Sequence, residues 1–188
     1  MIFIIILEWF AAIILLVVLI LFFIWMITGY RAQVPFIPVP LNTLSHIYKA
    51  LGVKEGSTVY DLGCGEGRVL FYLSKIMPKA TYIGIENGPF PLILARARAW
   101  WHEKTTGTKI QIINQDFFNH NLSGATHIFA YLYPSVMDDL LPKLDRELTP
   151  GTRLVSMSFK FTQRQPQQEI DLHRGRYKLA RKLYIYEF

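Results

Sequence analysis

The chain has 188 residues, of which 52% are apolar, and it carries a formal net charge of +6 with histidine neutral. Its one cysteine, Cys64, excludes an internal disulfide, and no His/Cys cluster has the spacing of a structural zinc site. All 20 Lys and Arg lie from Arg31 onward with 13 of the 14 acids, so this part has a net charge of +7. Such a charge suits nucleic acid, lipid headgroups or an acidic protein face, and a solvated surface beside anionic lipid is the simplest interpretation.

Residues 1–30 are predicted to form a transmembrane anchor. Residues 9–27 contain no charge, and with Ile2–Leu7 they are long enough as a helix to cross a hydrocarbon core of ~30 Å. A secretory signal peptide does not fit, because no basic residue precedes the apolar run, the run is too long and no small-residue cleavage site follows. The sequence therefore predicts a single-pass membrane protein.

Residues at the two ends of this segment predict its orientation. Trp9, Trp25 and Tyr30 lie where aromatic rings prefer the membrane interface, and Glu8 is expected at the outer interface. Basic residues follow the span from Arg31 but do not precede it, so the positive-inside rule predicts that the remainder of the chain is cytoplasmic.

Residues 31–56 predict a linker and a short helix. The three prolines of Pro35–Pro40 disfavour a regular helix and favour an extended, stiff segment. This segment is either a spacer between membrane and domain or a lid in which Phe36 covers a site, and both interpretations remain open. Leu41–Leu51 has the apolar spacing of an amphipathic helix.

Residues 57–188 predict one α/β domain with a doubly wound, Rossmann-like sheet of seven strands, the last of them antiparallel. Strand-like and helix-like runs alternate with short turns, which favours a parallel sheet covered on both faces. The predicted strands are Thr58–Leu62, Thr81–Glu86, Lys109–Asn114, His127–Leu132 and Arg153–Phe159, closed by Glu169–Leu172 and Lys178–Phe188. The predicted helices between them are Gly67–Met77, Pro89–Glu103 and Ser135–Leu148.

The first predicted strand ends in a glycine-rich loop with Gly63, Gly65 and Gly67 at alternate positions. Glycine lets a ligand approach the main chain closely, and the helix that follows presents unpaired N–H groups. A dinucleotide fingerprint would need glycine at position 68, which is Arg68, and the loop lacks the G-K-[ST] ending of a P-loop. Acidic residues such as Asp61 and Glu66 favour instead a cationic nucleoside without phosphate.

Two further acids end the next predicted strands. Glu86 is placed to accept hydrogen bonds from ribose hydroxyls, and Asp116 is placed to accept one from an adenine amino group. Because parallel strands end at the same edge of a sheet, we expect Asp61, Glu86 and Asp116 to converge on one crevice. The sequence therefore predicts a nucleoside site.

Tyr60–Arg68 resembles motif I of the class I, seven-β-strand S-adenosylmethionine methyltransferases, and the likeness runs from about Ser57 to the C-terminus. The resemblance implies S-adenosylmethionine as cofactor. It also implies that Asp61, Gly63 and Gly65 line its methionine end, and that Glu86 and Asp116 hold ribose and adenine.

A narrower likeness rests on the apolar N-terminal helix, Pro35–Pro40, the glycine loop and Ala95–Trp100. In these features the chain is similar to the membrane-bound lysine methyltransferases of adenine nucleotide translocase and ATP synthase c-subunit, and to their prokaryotic relatives. This resemblance implies a lysine of a membrane-associated protein as methyl acceptor.

The resemblance implies that the acceptor site lies at the end of the fourth strand, at Tyr131 and Tyr133, with Phe159 and Phe161 as further candidate walls of an aromatic channel. The chain has no N/D-P-P-Y/F tetrapeptide and no second cysteine, so methylation of nucleic acid is not expected, and no general base is assigned. A lipid or quinone-like acceptor and a non-catalytic nucleoside-binding module remain open.

On the helix predicted after the second strand, Trp100 and Trp101 are interpreted as core residues, and Arg96 and Arg98 as solvated residues.

Overall fold

In the computed structural model, residues 2–31, 37–172 and 180–188 are described, without the side chains of residues 2–4 and 24–31. The chain divides into two compact units, residues 1–35 and 36–188. The predicted boundaries at residues 30 and 56 stay predictions.

The first unit is one long apolar helix, α1 (Ile2–Arg31). Its segment Ile5–Phe23 is long and apolar enough to cross a membrane. Glu8 is exposed on this helix. The expectations for Trp25, Tyr30 and Phe36 concern side chains outside the described part of the chain.

The described residues of the second unit form seven strands and four α-helices. A short 3-10 turn, Leu41–Thr43, leads into the first of these helices. In chain order the elements are α2 (Leu44–Leu51), β1 (Thr58–Leu62), α3 (Arg68–Ile76), β2 (Thr81–Glu86), α4 (Pro89–Thr106), β3 (Ile110–Asn114), β4 (His127–Ala130), α5 (Pro134–Glu147), β5 (Arg153–Met157), β6 (Gln168–Asp171) and β7 (Lys182–Glu187).

All seven strands belong to one sheet in the order β3-β2-β1-β4-β5-β7-β6. Strands β1 to β5 pair in parallel, whereas β7 runs antiparallel to both β5 and β6. This confirms the predicted doubly wound sheet with an antiparallel last strand. The strand order reverses between β1 and β4, so a ligand crevice is expected beyond the carboxyl ends of these strands.

Two of the parallel strands end two residues earlier than predicted. Strand β4 ends at Ala130 rather than Leu132, and β5 ends at Met157 rather than Phe159. After β5 the chain turns at Ser158, whose φ of 70° lies in the left-handed region that non-glycine residues rarely adopt. Tyr131, Tyr133 and Phe159 therefore lie on loops at the carboxyl edge of the sheet.

The prediction that Trp100 and Trp101 are core residues is wrong, since their side chains are 60% and 64% exposed. The face of α4 that is buried carries Leu92, Ala95, Ala99 and His102. Two alanines on this face let the helix approach the sheet closely, which leaves no room there for an indole ring.

Cys64 is buried and fills a small space against β2. A Cβ atom added to Gly84, in the middle of β2, would lie 2.7 Å from Cys64 Sγ and 2.9 Å from Leu70 Cδ1. Both contacts are closer than packed atoms allow, so this position requires glycine for steric reasons.

We expect Gly84→Ala to lower the free energy of unfolding by about 1–3 kcal/mol, the usual cost of an added group in a packed core. Chemical denaturation of the detergent-solubilised protein measures this change. Gly124→Ala is the matched control, because a Cβ atom there meets nothing within 4 Å. Equal stabilities of the two variants would contradict the packing described for Gly84.

Candidate active site

The glycine-rich loop joins β1 to α3 through a series of left-handed residues. Gly63, Gly65 and Gly67 have φ values of 70°, 57° and 78°. Gly67 is the N-cap of α3 and offers no side-chain cap to the helix. The N–H groups of the first helical turn are therefore available to water or a ligand.

Glu86 holds this loop against the end of β2. Its Oε2 accepts a hydrogen bond from Gly65 N at 2.8 Å, and its Oε1 accepts one from Gly88 N at 2.7 Å. The backbone N–H groups of Gly63 and Cys64 both donate to the carbonyl oxygen of Ile85. A carboxylate has about four lone-pair sites, so Glu86 retains acceptor capacity for two further donors.

Asp61 is buried beneath the same loop, with 4% of its surface exposed. Burial raises the pKa of its carboxyl to about 8, and the charge of Glu86 adds to this effect. Burial likewise raises the pKa of the Cys64 thiol, which is therefore neutral at physiological pH. A cation placed near Asp61 would stabilise its ionised form.

Asp116 follows β3 at the same edge of the sheet. The β2–β3 register pairs Glu86 with Asn114, two residues before Asp116. Its Oδ1 accepts a hydrogen bond from Phe118 N at 2.9 Å, which closes a local turn. Its other carboxylate oxygen makes no hydrogen bond within the described residues. The strand order thus brings all three predicted acids to one edge of the sheet, where the charge of Glu86 acts on Asp61.

Glu66 has a different environment from the one expected. Arg68 Nε donates to its Oε1 at 2.8 Å and Arg68 Nη2 also contacts it, while Arg98 Nη1 lies 2.8 Å from its Oε2. Two guanidinium groups neutralise this carboxylate, so Asp61 remains the acid of the loop that can meet a cation. Arg98, expected to be solvated, thus contributes an ion pair to the loop.

Arg68 also connects the loop to the segment before α2, a contact that the sequence analysis missed. Its Nη1 donates to the carbonyl oxygen of Val39 at 2.9 Å. The sequence contained one signal of this contact: Arg68 stands where a dinucleotide-binding loop has its last glycine. The guanidinium group thereby fixes residues 37–40 beside the glycine loop.

Three aromatic rings stack at the ends of β4 and β5. The Phe159 ring stacks on that of Tyr133, with centroids 5.8 Å apart and planes at 20°, and on that of Tyr131, with centroids 6.5 Å apart and planes at 22°. Leu132 reaches the glycine loop, since a Cβ atom on Gly63 would be 3.3 Å from Leu132 Cδ2. Leu132 stands between Tyr131 and Tyr133 in the chain, so the segment that carries two rings of the stack adjoins the loop.

Phe161 and the Tyr131 hydroxyl have different environments. Phe161 is 1% exposed and packs edge to face on Tyr186 with 4.8 Å between ring centroids, so it is a core residue and not a channel wall. The Tyr131 hydroxyl is buried and has no hydrogen-bond partner in the described part of the chain. Burial raises the pKa of Tyr131, and the nearby Ser158 side chain opposes this rise. Ser158 nevertheless makes no hydrogen bond of normal geometry to the Tyr131 hydroxyl.

Comparison with known proteins identifies the family of this domain. Residues 61–168 match the family model of the ANTKMT methyltransferase domain. A protein-lysine N-methyltransferase of Saccharolobus islandicus is 31% identical over 158 residues, which cover 84% of this chain and 96% of that protein. The ATP synthase c-subunit lysine N-methyltransferase of Homo sapiens is 29% identical over 131 residues, or 70% of this chain.

The chain spans only part of some of these relatives. It covers 54% of the human protein and 58% of the adenine nucleotide translocase lysine N-methyltransferase of Mus musculus.

A solved RNA methyltransferase from Salinibacter ruber, in complex with S-adenosyl-L-homocysteine, superposes with a TM-score of 0.72 and 28% identity, covering 80% of this chain and 93% of that one. The matched family, the sheet order and the loop geometry lead to one conclusion: the chain belongs to the ANTKMT methyltransferase domain family and is an S-adenosylmethionine-dependent methyltransferase.

Proposed function

We propose that this protein transfers a methyl group from S-adenosylmethionine to a lysine ε-amino group of a membrane-associated protein. The observation that carries the proposal is the half-buried stack of Tyr131, Phe159 and Tyr133 next to the glycine loop. The names of the Saccharolobus islandicus and Homo sapiens relatives, both lysine N-methyltransferases, support the same acceptor.

In this proposal the three acids and the glycine loop hold the cofactor. Glu86 accepts from the ribose hydroxyls with the lone pairs that its two backbone bonds leave free, and Asp116 accepts from the adenine amino group. Gly63, Gly65 and Gly67 bring the backbone close to the methionine end. Asp61 faces the cationic groups of that end, which favours its ionised form.

The acceptor amine must be neutral when it attacks. A lysine ammonium has a reference pKa of ~10.4, and transfer into an apolar, aromatic site lowers that value because desolvation disfavours the charge. The nitrogen lone pair then forms a bond to the methyl carbon while the bond from carbon to the sulfonium sulfur breaks and its electrons stay on sulfur. The proton lost beforehand passes to solvent, so the step needs no dedicated base.

The side chains of the site contribute mainly by alignment. The faces of Tyr133 and Phe159 confine the aliphatic stem of the substrate lysine, and the unpaired Tyr131 hydroxyl can accept a hydrogen bond from the amine. Such positioning of nucleophile, methyl group and leaving sulfur accounts for a large part of the barrier lowering in displacement reactions.

The apolar helix α1 supports a membrane location for this reaction. In the proposed arrangement residues 1–30 cross the bilayer once. Residues 31–56 link this anchor to the methyltransferase domain, residues 57–188, which carries out the transfer on the cytoplasmic side. A tether of this kind raises the effective concentration of acceptors that lie in the same membrane.

We expect Glu86→Ala to weaken S-adenosylmethionine binding at least about 100-fold, because hydrogen bonds to a charged group contribute about 1.5–3 kcal/mol each. Asp61→Ala should have a similar effect. Isothermal titration calorimetry measures the affinity, and circular dichroism checks that the fold is intact. Glu103→Ala on the exposed side of α4 is the matched control. Normal affinity in folded Glu86→Ala would contradict the site.

The pKa of Asp61 predicts how binding depends on pH. Because burial raises this pKa to about 8 in the free protein, the carboxyl is protonated at pH 6.5 and must release its proton to meet a cation. Affinity should therefore rise with pH up to about 8, by at most about tenfold per pH unit. The Asp61→Asn variant should bind S-adenosylmethionine more weakly. Its affinity should change with pH only through the ionisation of S-adenosylmethionine itself. Identical pH profiles for the two proteins would refute this role.

To identify the acceptor, the full chain is reconstituted into proteoliposomes. These are incubated with radioactive S-adenosylmethionine and with membranes from cells that lack this protein. We expect labelled protein bands in which mass spectrometry finds methylated lysine. Tyr131→Phe should bind the cofactor normally and label these bands more slowly, while Tyr48→Phe on α2 is the control. Label confined to lipid extract or to RNA, or binding without any transfer, would overturn the proposal.

A further inference from the structure

Helix α4 has an apolar face that points away from the domain core. The α4 apolar face comprises Phe90, Ile93, Ala97, Trp100 and Trp101, which recur at helical spacing and share one side of the helix. The four large side chains are 66%, 66%, 60% and 64% exposed, respectively. The residues that pack on the sheet lie on the opposite side of α4.

This face is continuous rather than scattered. The indole rings of Trp100 and Trp101 have centroids 6.3 Å apart, and Phe90 and Ile93 extend the same stripe toward the helix N-terminus. A contiguous exposed patch of this kind marks a surface that contacts a partner or a membrane. Within the described residues nothing covers it.

The charges beside the α4 apolar face favour an anionic, amphipathic partner. Arg96 and Lys104 flank the stripe, and neither forms an ion pair with any residue that the structure describes. Glu103 is the only acid in α4, whose sequence is PFPLILARARAWWHEKTT. Tryptophan together with lysine and arginine is the combination that prefers the boundary between headgroups and acyl chains.

A short segment joins the proposed membrane anchor to the domain. The apolar helix α1 ends at Arg31 and the first turn of the domain begins at Leu41. The nine residues between them provide at most about 30 Å of chain, whatever their conformation. A weak surface contact is sufficient under such a tether, because the local concentration of lipid is high.

We propose that the α4 apolar face inserts into the interface of the membrane that α1 crosses, as a second attachment of the domain. Trp100, Trp101, Phe90 and Ile93 lie in the region between headgroups and acyl chains, and Arg96 and Lys104 contact lipid phosphates. This contact rests on the proposed membrane location of α1, and it does not depend on which acceptor is methylated.

The test uses tryptophan fluorescence of the full chain in liposomes that contain anionic lipid. In a Trp9→Phe, Trp25→Phe variant, the emission comes from Trp100 and Trp101 alone, since the chain has four tryptophans. Lipids brominated near the top of the acyl chain should quench at least about half of this emission, as expected for rings buried about 5–10 Å. Acrylamide in the aqueous phase should quench it weakly.

A control chain carries Phe at all four tryptophan positions together with Asp139→Trp. Asp139 is exposed on α5, and right-handed crossovers place α5 on the face of the sheet opposite α4. This control should be quenched by acrylamide and not by brominated lipid.

Quenching of Trp100 and Trp101 by acrylamide alone would overturn the proposal. Protection from both quenchers would also overturn it, because it would assign the face to a second copy of the chain or to another protein. The fluorescence measurement involves no methyl transfer, so its outcome is independent of the acceptor test.

Discussion

The site depends on one interaction, the bridge that the Glu86 carboxylate makes between two backbone N–H groups. By accepting from Gly65 and Gly88 at 2.8 and 2.7 Å, it fixes the glycine loop to the end of β2 before any ligand arrives. A loop of left-handed glycines would otherwise have many conformations of similar energy. Because the same carboxylate keeps acceptor capacity for ribose hydroxyls, the group that orders the loop is also suited to recognise the ligand, which lowers the entropic cost of binding.

The acids near this edge of the sheet differ in burial and in neighbouring charges, and therefore in role. Asp61 lies under the loop with a raised pKa, and a cationic ligand would favour its ionised form. Glu66, five residues later, is neutralised by Arg68 and Arg98 and stabilises the loop. Arg68 extends this network to Val39, so the segment of residues 37–40 is connected to the loop itself. Loop order and the position of that segment are therefore physically coupled.

Much of this arrangement could be predicted from sequence because it depends on local chemistry. The alternation of apolar strands and helices specified the doubly wound sheet, and acids at successive strand ends indicated the crevice. Long-range side-chain geometry could not be predicted: the pairing of Glu66 with Arg98 depends on how α4 lies beside the loop. Trp100 and Trp101 were assigned to the core because aromatic residues are usually buried, whereas Ala95 and Ala99 make the actual contact with the sheet. The position of Phe161 was likewise not predictable from sequence, because only the fold reveals that Tyr186 covers it.

The central claim is that carboxylates at adjacent strand ends surround an adenosyl group. A crystal structure of the protein with S-adenosylhomocysteine tests it most directly. The account predicts both ribose hydroxyls within hydrogen-bond distance of Glu86, the adenine amino group on Asp116, and the sulfur facing Tyr131 and Tyr133. A nucleoside bound elsewhere, with Glu86 contacting only Gly65 and Gly88, would contradict it.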